Sequence, residues 1–157
     1  MTEQSKTILL LCTGNSCRSP LAEALLKNAI KDNPTLKHYA VKSAGIYAQS
    51  NGIASENALE AIKAYKLSLN NHRSTQLTQK LIDESSIILG MTASHIESLA
   101  YDYNCLPEKL FRFKEWTDSH DKDILDPFGS NLAVYMQCAE SIKESIPSII
   151  DHLKSQK

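Results

Sequence analysis

The chain has 157 residues, with 17 lysines and arginines against 18 aspartates and glutamates, for a formal net charge of −1. Hydrophobic residues make up 42% and charged residues 22%, as in an average folded protein. These values exclude a mainly disordered chain and a nucleic-acid binder held by bulk positive charge, and the length predicts one domain over 1–157. The longest apolar runs, Ile8 to Cys12 and Leu132 to Met136, fall far short of the ~20 residues of a membrane span. Met1 to Thr7 lacks the apolar stretch of an export signal. A cytoplasmic setting is therefore expected, with the four cysteines reduced and no membrane or nucleic-acid partner.

Thr7 to Cys12 is a continuous apolar run that ends in Thr13-Gly14-Asn15, the pattern of a buried strand entering a loop. Ser19 to Lys31 predicts a helix, with Ser19 as its cap, Pro20 in its first turn and Leu21, Leu25 and Ala29 on one face. Tyr39 to Gly45 predicts a second strand, and Ser55 to Lys66 a second helix that turns Leu59, Ile62 and Tyr65 inward. Ser85 to Met91 is a third buried strand, followed by Thr92 as the cap of a helix reaching about Tyr103. Lys109 to Phe113 predicts a fourth strand. Lys114 to Gly129 is polar and acidic and is expected to be one long functional loop. A last helical pattern starts at Asn131 and passes through Tyr135, Cys138, Ile142, Ile146, Ile149 and Leu153, with Pro147 expected to kink or restart it. The alternation implies an α/β fold, a parallel sheet with helices on both faces, and a ligand bound beyond the carboxyl ends of the strands.

The sharpest local feature is Cys12-Thr13-Gly14-Asn15-Ser16-Cys17-Arg18-Ser19, between the first strand and the first helix. A cysteine and an arginine five residues apart can wrap a tetrahedral oxyanion, with backbone N–H groups turned inward and the guanidinium gripping two oxygens. Gly14 is expected to supply the freedom of the turn, and the helix start adds its positive end. That local field favours a thiolate at Cys12, while Ser19 is placed to donate to its sulfur. The spacing of Cys12 and Cys17 does not suit zinc, and no Gly-Lys-Ser/Thr follows as a Walker loop would require.

Leu10-Leu-Cys-Thr-Gly-Asn-Ser-Cys-Arg-Ser-Pro-Leu-Ala-Glu23 resembles the signature loop of the low-molecular-weight protein tyrosine phosphatase family. Ser43-Ala44-Gly45, Asn71-His72-Arg73-Ser74 and Asp126-Pro127-Phe128-Gly129 are similar to later family segments in the same order, so the resemblance spans nearly the whole chain. It implies a single-domain, three-layer Rossmann-type fold around a four-stranded parallel sheet. It also implies a phosphatase acting on phosphorylated proteins without metal or cofactor, with inorganic phosphate as product, other oxyanions as inhibitors, and a monomeric chain. Asn15, Ser43 and His72 are carried over as residues that hold the loop by hydrogen bonds; the family often has arginine near Thr75.

Expulsion of a poor leaving group needs a general acid, and Asp126 is the candidate, held extended by Pro127 with Phe128 as a wall. Asp118, Asp121 and Asp123 read mainly as a solvated loop and do not match a calcium-binding loop, and His38, His95, His120 and His152 have no constellation around them. Cys17 is a possible redox partner that could capture an oxidised Cys12 as a disulfide, with simple packing as the alternative. Substrate choice turns on Ser16, Tyr47 and Phe128. Phosphotyrosine is the main expectation, with an aromatic ring between Tyr47 and Phe128. Ser16, where tyrosine-directed members usually have a bulkier aliphatic residue, resembles the family's bacterial protein-arginine-phosphatase-like subgroup and keeps phosphoarginine as the alternative. Arsenate reduction is a lesser alternative, because residues 81–100 hold no relay cysteine and neither Cys105 nor Cys138 is evidently paired with the loop. A silent oxyanion-binding or redox-sensing module would be expected to lack Arg18 or Asp126, and both are here.

Overall fold

A computed structural model describes residues 5–156. Four strands run parallel, β1 (Lys6–Cys12), β2 (Tyr39–Gly45), β3 (Ile87–Gly90) and β4 (Leu110–Arg112), in the sheet order β2-β1-β3-β4. Parallel neighbours need long crossovers, and these carry α1 (Arg18–Lys31), α2 (Glu56–Ala61), α3 (Gln79–Glu84) and α4 (Ala93–Asp102). The chain then closes with α5 (Leu132–Ser155).

β1 shows why its sequence is continuously apolar. Ile8, Leu10 and Cys12 face a large core shared with α1, α2 and α5, while Leu9 and Leu11 face a smaller one with Ile82 of α3 and Leu99 of α4. Ile8 to Leu11 are fully buried, each side chain contributing roughly 1.5–3 kcal/mol. From β1 the sheet extends to β2 on one side and to β3 on the other. Such a reversal opens a crevice at the carboxyl end of the shared strand, and Cys12 is the residue that ends β1 there.

Several elements differ from the sequence reading. The helix predicted over 55–66 is α2 followed by a tighter 3₁₀ turn, Ile62–Tyr65, that stops at Lys66 in the left-handed region (φ 59°). α3 has no counterpart among the predicted elements; six residues are too few to show a helical period, and only its cap, Thr78 Oγ1 accepting from Leu81 N, is a local signal. α5 does not restart at Pro147 but runs through it for 24 residues. An interior proline costs about 3 kcal/mol, and the buried Ile146, Ile149 and Ile150 around it offset that at roughly 1.5–3 kcal/mol each. The segment from Lys114 to Gly129 has turns but no strand or helix, and it is not solvated throughout. Ile124 is fully buried, and its N–H bonds the Met91 carbonyl at 2.8 Å, so it pins the loop beside the end of β3.

Candidate active site

The loop from Cys12 to Arg18 turns on Asn15, whose backbone is left-handed at φ 55°. Asparagine tolerates that geometry better than most residues, and here every polar group of Asn15 is satisfied. Its N–H donates to Cys12 Sγ at 3.2 Å, and its Nδ2 donates to Ser19 Oγ at 2.8 Å and Ser43 Oγ at 2.9 Å. Its Oδ1 accepts from Thr75 N at 2.9 Å, and its carbonyl accepts from His72 Nε2 at 2.8 Å. Asn15, Ser19, Ser43 and His72 thus meet in one hydrogen-bond network. Thr75 contributes through its backbone, so the arginine the family often carries nearby is not needed for this bond. Glu23 extends the network, its Oε1 accepting from Ser43 Oγ at 2.6 Å.

Gly14 does not play its expected part. The left-handed residue is Asn15, and a Cβ added at Gly14 would meet nothing nearer than Ser16 Oγ at 3.8 Å. The glycine on which the loop depends is Gly45, at the end of β2, where a Cβ would stand 2.7 Å from the Thr13 carbonyl and 2.9 Å from Asn15 N. Its bare backbone lets Ile46 N and Tyr47 N bond the carbonyls of Cys12 and Thr13 at 3.0 and 2.9 Å.

Ser19 also departs from its expected role as a cap. α1 begins one residue earlier, its N-cap Cys17 makes no side-chain capping bond, and Ser19 Oγ lies 2.9 Å from Cys12 Sγ. Because Ser19 Oγ accepts from Asn15, its own proton is free to point at the sulfur. The uncapped first turn of α1 leaves its N–H groups and positive dipole end facing the loop.

Arg18 is the first residue of α1 and is 4% exposed. Its Nη1 donates to the Ile124 carbonyl at 3.1 Å, and its Nη2 lies 3.4 Å from Asp126 Oδ2. Asp126 Oδ1 accepts from Phe128 N at 3.1 Å, a turn that raises Phe128 over the site. Together they line a cleft of about 210 Å³ formed by Cys12, Thr13, Gly14, Ser16, Cys17, Arg18, Asp126 and Phe128. Tyr47 is the predicted wall residue that the cleft lacks: its backbone touches the loop, but its side chain is 75% exposed and outside the lining.

Cys17 Sγ is turned toward the core, 3.3 Å from Tyr135 Oη and donating to Ser55 Oγ at 3.4 Å. Burial, followed by the bond to Cys17, pushes the Tyr135 phenol up to about 12. Burial likewise pushes Cys138 up to about 12. Cys138 lies in the same core as Cys12 and Cys17, whereas Cys105 packs on the opposite face of the sheet, away from the loop.

Two residues read as unremarkable in the sequence belong to the site's surroundings. His95 is buried, with Nε2 at 3.0 Å from Thr13 Oγ1 and Nδ1 accepting from Thr92 N at 3.1 Å. Burial, and then the charge of Arg18, lower its pKa to about 4, so the imidazole is neutral near pH 7. Asp123 is not simply solvated, since its Oδ1 accepts from Ala93 N at the start of α4 at 2.9 Å. Among the described residues no cluster of three or more His, Cys, Asp or Glu is placed to hold a metal. Nor is any helix among them long and apolar enough to cross a membrane.

The chain is similar to known proteins in sequence and in fold. Residues 7–157 match the family model described as low molecular weight phosphotyrosine protein phosphatase. A protein-arginine-phosphatase of Bacillus subtilis (strain 168) is 36% identical over 150 residues, covering 96% of this chain and 98% of that one. The low molecular weight protein-tyrosine-phosphatase Wzb of Salmonella typhi is 38% identical over 121 residues, covering 77% and 76%. The crystal structure of a low molecular weight protein tyrosine phosphatase from T. tengcongensis superposes with a TM-score of 0.87 at 34% identity, covering 94% of this chain and 99% of that one. With its sheet order, its cysteine-to-arginine loop and these matches in agreement, the chain belongs to the low molecular weight phosphotyrosine protein phosphatase family and is a phosphatase.

Proposed function

We propose that the protein hydrolyses phosphotyrosine in proteins through a phosphorylated Cys12. The observation that carries this reading is the meeting of Cys12, Arg18 and Asp126 in one cleft at the carboxyl end of β1. In the first step the Cys12 thiolate attacks phosphorus, the bond from phosphorus to the tyrosyl oxygen breaks, and the Asp126 carboxyl gives that oxygen its proton. Arg18 and the loop N–H groups hold the equatorial oxygens as charge redistributes. In the second step water attacks the thiophosphate, the Asp126 carboxylate takes a proton from it, and the sulfur leaves as thiolate. Ser19 and the Asn15 N–H, both directed at Sγ, offset the charge that returns to it. Inorganic phosphate is the product, and oxyanions such as vanadate compete for the same loop. All residues of the site come from one chain, so a monomer suffices, and a reducing cytoplasm suits its free thiols.

Phosphoarginine is the second reading. The small hydroxyl side chain of Ser16 in the cleft lining favours it, because it leaves room for a polar guanidinium rather than gripping an aromatic face. The name of the Bacillus subtilis relative points the same way. The test is turnover of phosphotyrosine and phosphoarginine peptides side by side, in chelator and, in separate assays without it, with vanadate as inhibitor, for the wild type and Ser16→Ile. Metal-independent, vanadate-sensitive release of phosphate with phosphotyrosine preferred is expected. Preference for phosphoarginine that Ser16→Ile reverses would replace the main reading with the second, and no turnover of either peptide would sink both.

A further inference from the structure

His95 is the third residue of α4, and it is tied at both ring nitrogens. Nδ1 accepts a hydrogen bond from the Thr92 backbone N–H at 3.1 Å, which places the ring proton on Nε2. Nε2 therefore donates to Thr13 Oγ1, 3.0 Å away on the loop beside Cys12. The same end of α4 is fastened to the acid-bearing segment, where Ala93 N–H donates to Asp123 Oδ1 at 2.9 Å. Next along that segment, the Ile124 carbonyl accepts from Arg18 Nη1 at 3.1 Å, and two residues on Asp126 faces Arg18 Nη2 at 3.4 Å. The bonds close a ring from Thr13 through His95, the start of α4, Asp123, Ile124 and Arg18 back to the loop. Gly90 keeps that ring tight: a Cβ there would stand 3.3 Å from His95 Cβ and 2.9 Å from Ile96 Cδ1.

We propose that His95 is a positioning residue that fixes the register of the loop carrying Cys12 against the segment carrying Asp126. His95 is not among the residues that line the cleft, and the proposal rests on the hydrolase reading above. An imidazole suits the post because it presents an acceptor and a donor in one rigid ring, bridging a helix start and a loop. Its neutral form brings no positive charge up to Arg18, which lies close enough to depress its protonation.

The two amide isosteres separate the two bonds. Asparagine places an acceptor near Nδ1 and keeps the helix cap but falls short of Thr13; glutamine places a donor near Nε2 and reaches Thr13 but gives up the cap. kcat/KM is measured for each variant on phenyl phosphate, whose leaving group needs a proton, and on para-nitrophenyl phosphate, whose leaving group needs one less. For His95→Asn we expect a ~10- to 100-fold loss on phenyl phosphate and a several-fold smaller loss on the nitrophenyl ester, because misplacement by about an ångström is costly where a proton must be delivered. His95→Gln recovers phenyl phosphate hydrolysis to within about threefold of the wild type while melting at a lower temperature, because it restores the loop bond without the cap. Thr13→Val removes the same bond from the loop side and covers the case in which His95→Asn does not fold. Equal losses on both esters, or no loss in either variant that breaks the bond, would overturn the proposal. Wild-type protein inactive on both esters would overturn the hydrolase reading and this one with it.

Discussion

Cys12→Ser is expected to lower turnover of any phosphorylated substrate by at least ~10⁴-fold, while vanadate and phosphate bind within about threefold of the wild type. The two halves of this result have separate physical origins. In the proposed mechanism oxyanion binding comes from the Arg18 guanidinium, the first turn of α1 and the loop N–H groups, none of which the substitution removes. The proposed chemistry comes from the sulfur, which accepts from Asn15 N–H at 3.2 Å and lies 2.9 Å from Ser19 Oγ. A serine hydroxyl is a poor nucleophile without an adjacent base, and the two histidines bonded to the loop are engaged elsewhere, His72 with the Asn15 carbonyl and His95 with Thr13. Loop geometry should persist, because besides its bond to the cysteine the left-handed Asn15 is held by Thr75 N, Ser43 and His72. Steady-state release of phosphate and vanadate titration by calorimetry read the two halves independently. Retained turnover would exclude Cys12 as nucleophile, and loss of binding together with turnover would mean that the sulfur itself builds the anion cradle.

What the sequence disclosed follows from how each feature is encoded. The loop from Cys12 to Ser19 was legible because its candidate anion-binding parts are contiguous, bounded by an apolar run and a helical pattern. Asp126 was legible through its neighbours Pro127 and Phe128, and the family motifs carried Ser43 and His72 to Asn15. Roles that depend on distant partners were not. His95 reaches Thr13 across 82 positions, and nothing in Thr92-Ala93-Ser94-His95 distinguishes a ring that bridges two elements from one that only caps a helix. Ser19 looks like a cap in sequence because serine before proline at a helix start usually is one; here its hydroxyl is claimed by Cys12 and Asn15. Gly14 and Asn15 are adjacent and both suit a tight turn, so local preference could not say which would be left-handed. The close approach that excludes a Cβ belongs to Gly45, and it exists only once β2 is paired with β1.

Asp126→Asn is expected to reduce kcat/KM on phenyl phosphate by ~10²- to 10⁴-fold, with a far smaller effect on para-nitrophenyl phosphate. Asparagine keeps the shape of the side chain, and its carbonyl oxygen can accept from Phe128 N as Asp126 Oδ1 does, so the wall beside the cleft should stay in place. The ion pair with Arg18 is lost, but Asp126 is about half exposed there, which holds the cost in stability below about 1 kcal/mol. The substitution therefore isolates proton transfer. A phenolate leaves badly without a proton, whereas nitrophenolate spreads its charge into the ring and leaves nearly unaided. The second step also loses its base, so the phosphorylated cysteine should accumulate on the nitrophenyl ester, giving a burst of one nitrophenolate per protein followed by slow turnover. Equal losses on the two esters, with no burst, would assign the proton to another group. In the expected case, the ratio of the two losses sets the scale for His95→Asn. Misplacing the acid by loosening its ring of hydrogen bonds should reproduce a fraction of what removing its proton does, and never exceed it.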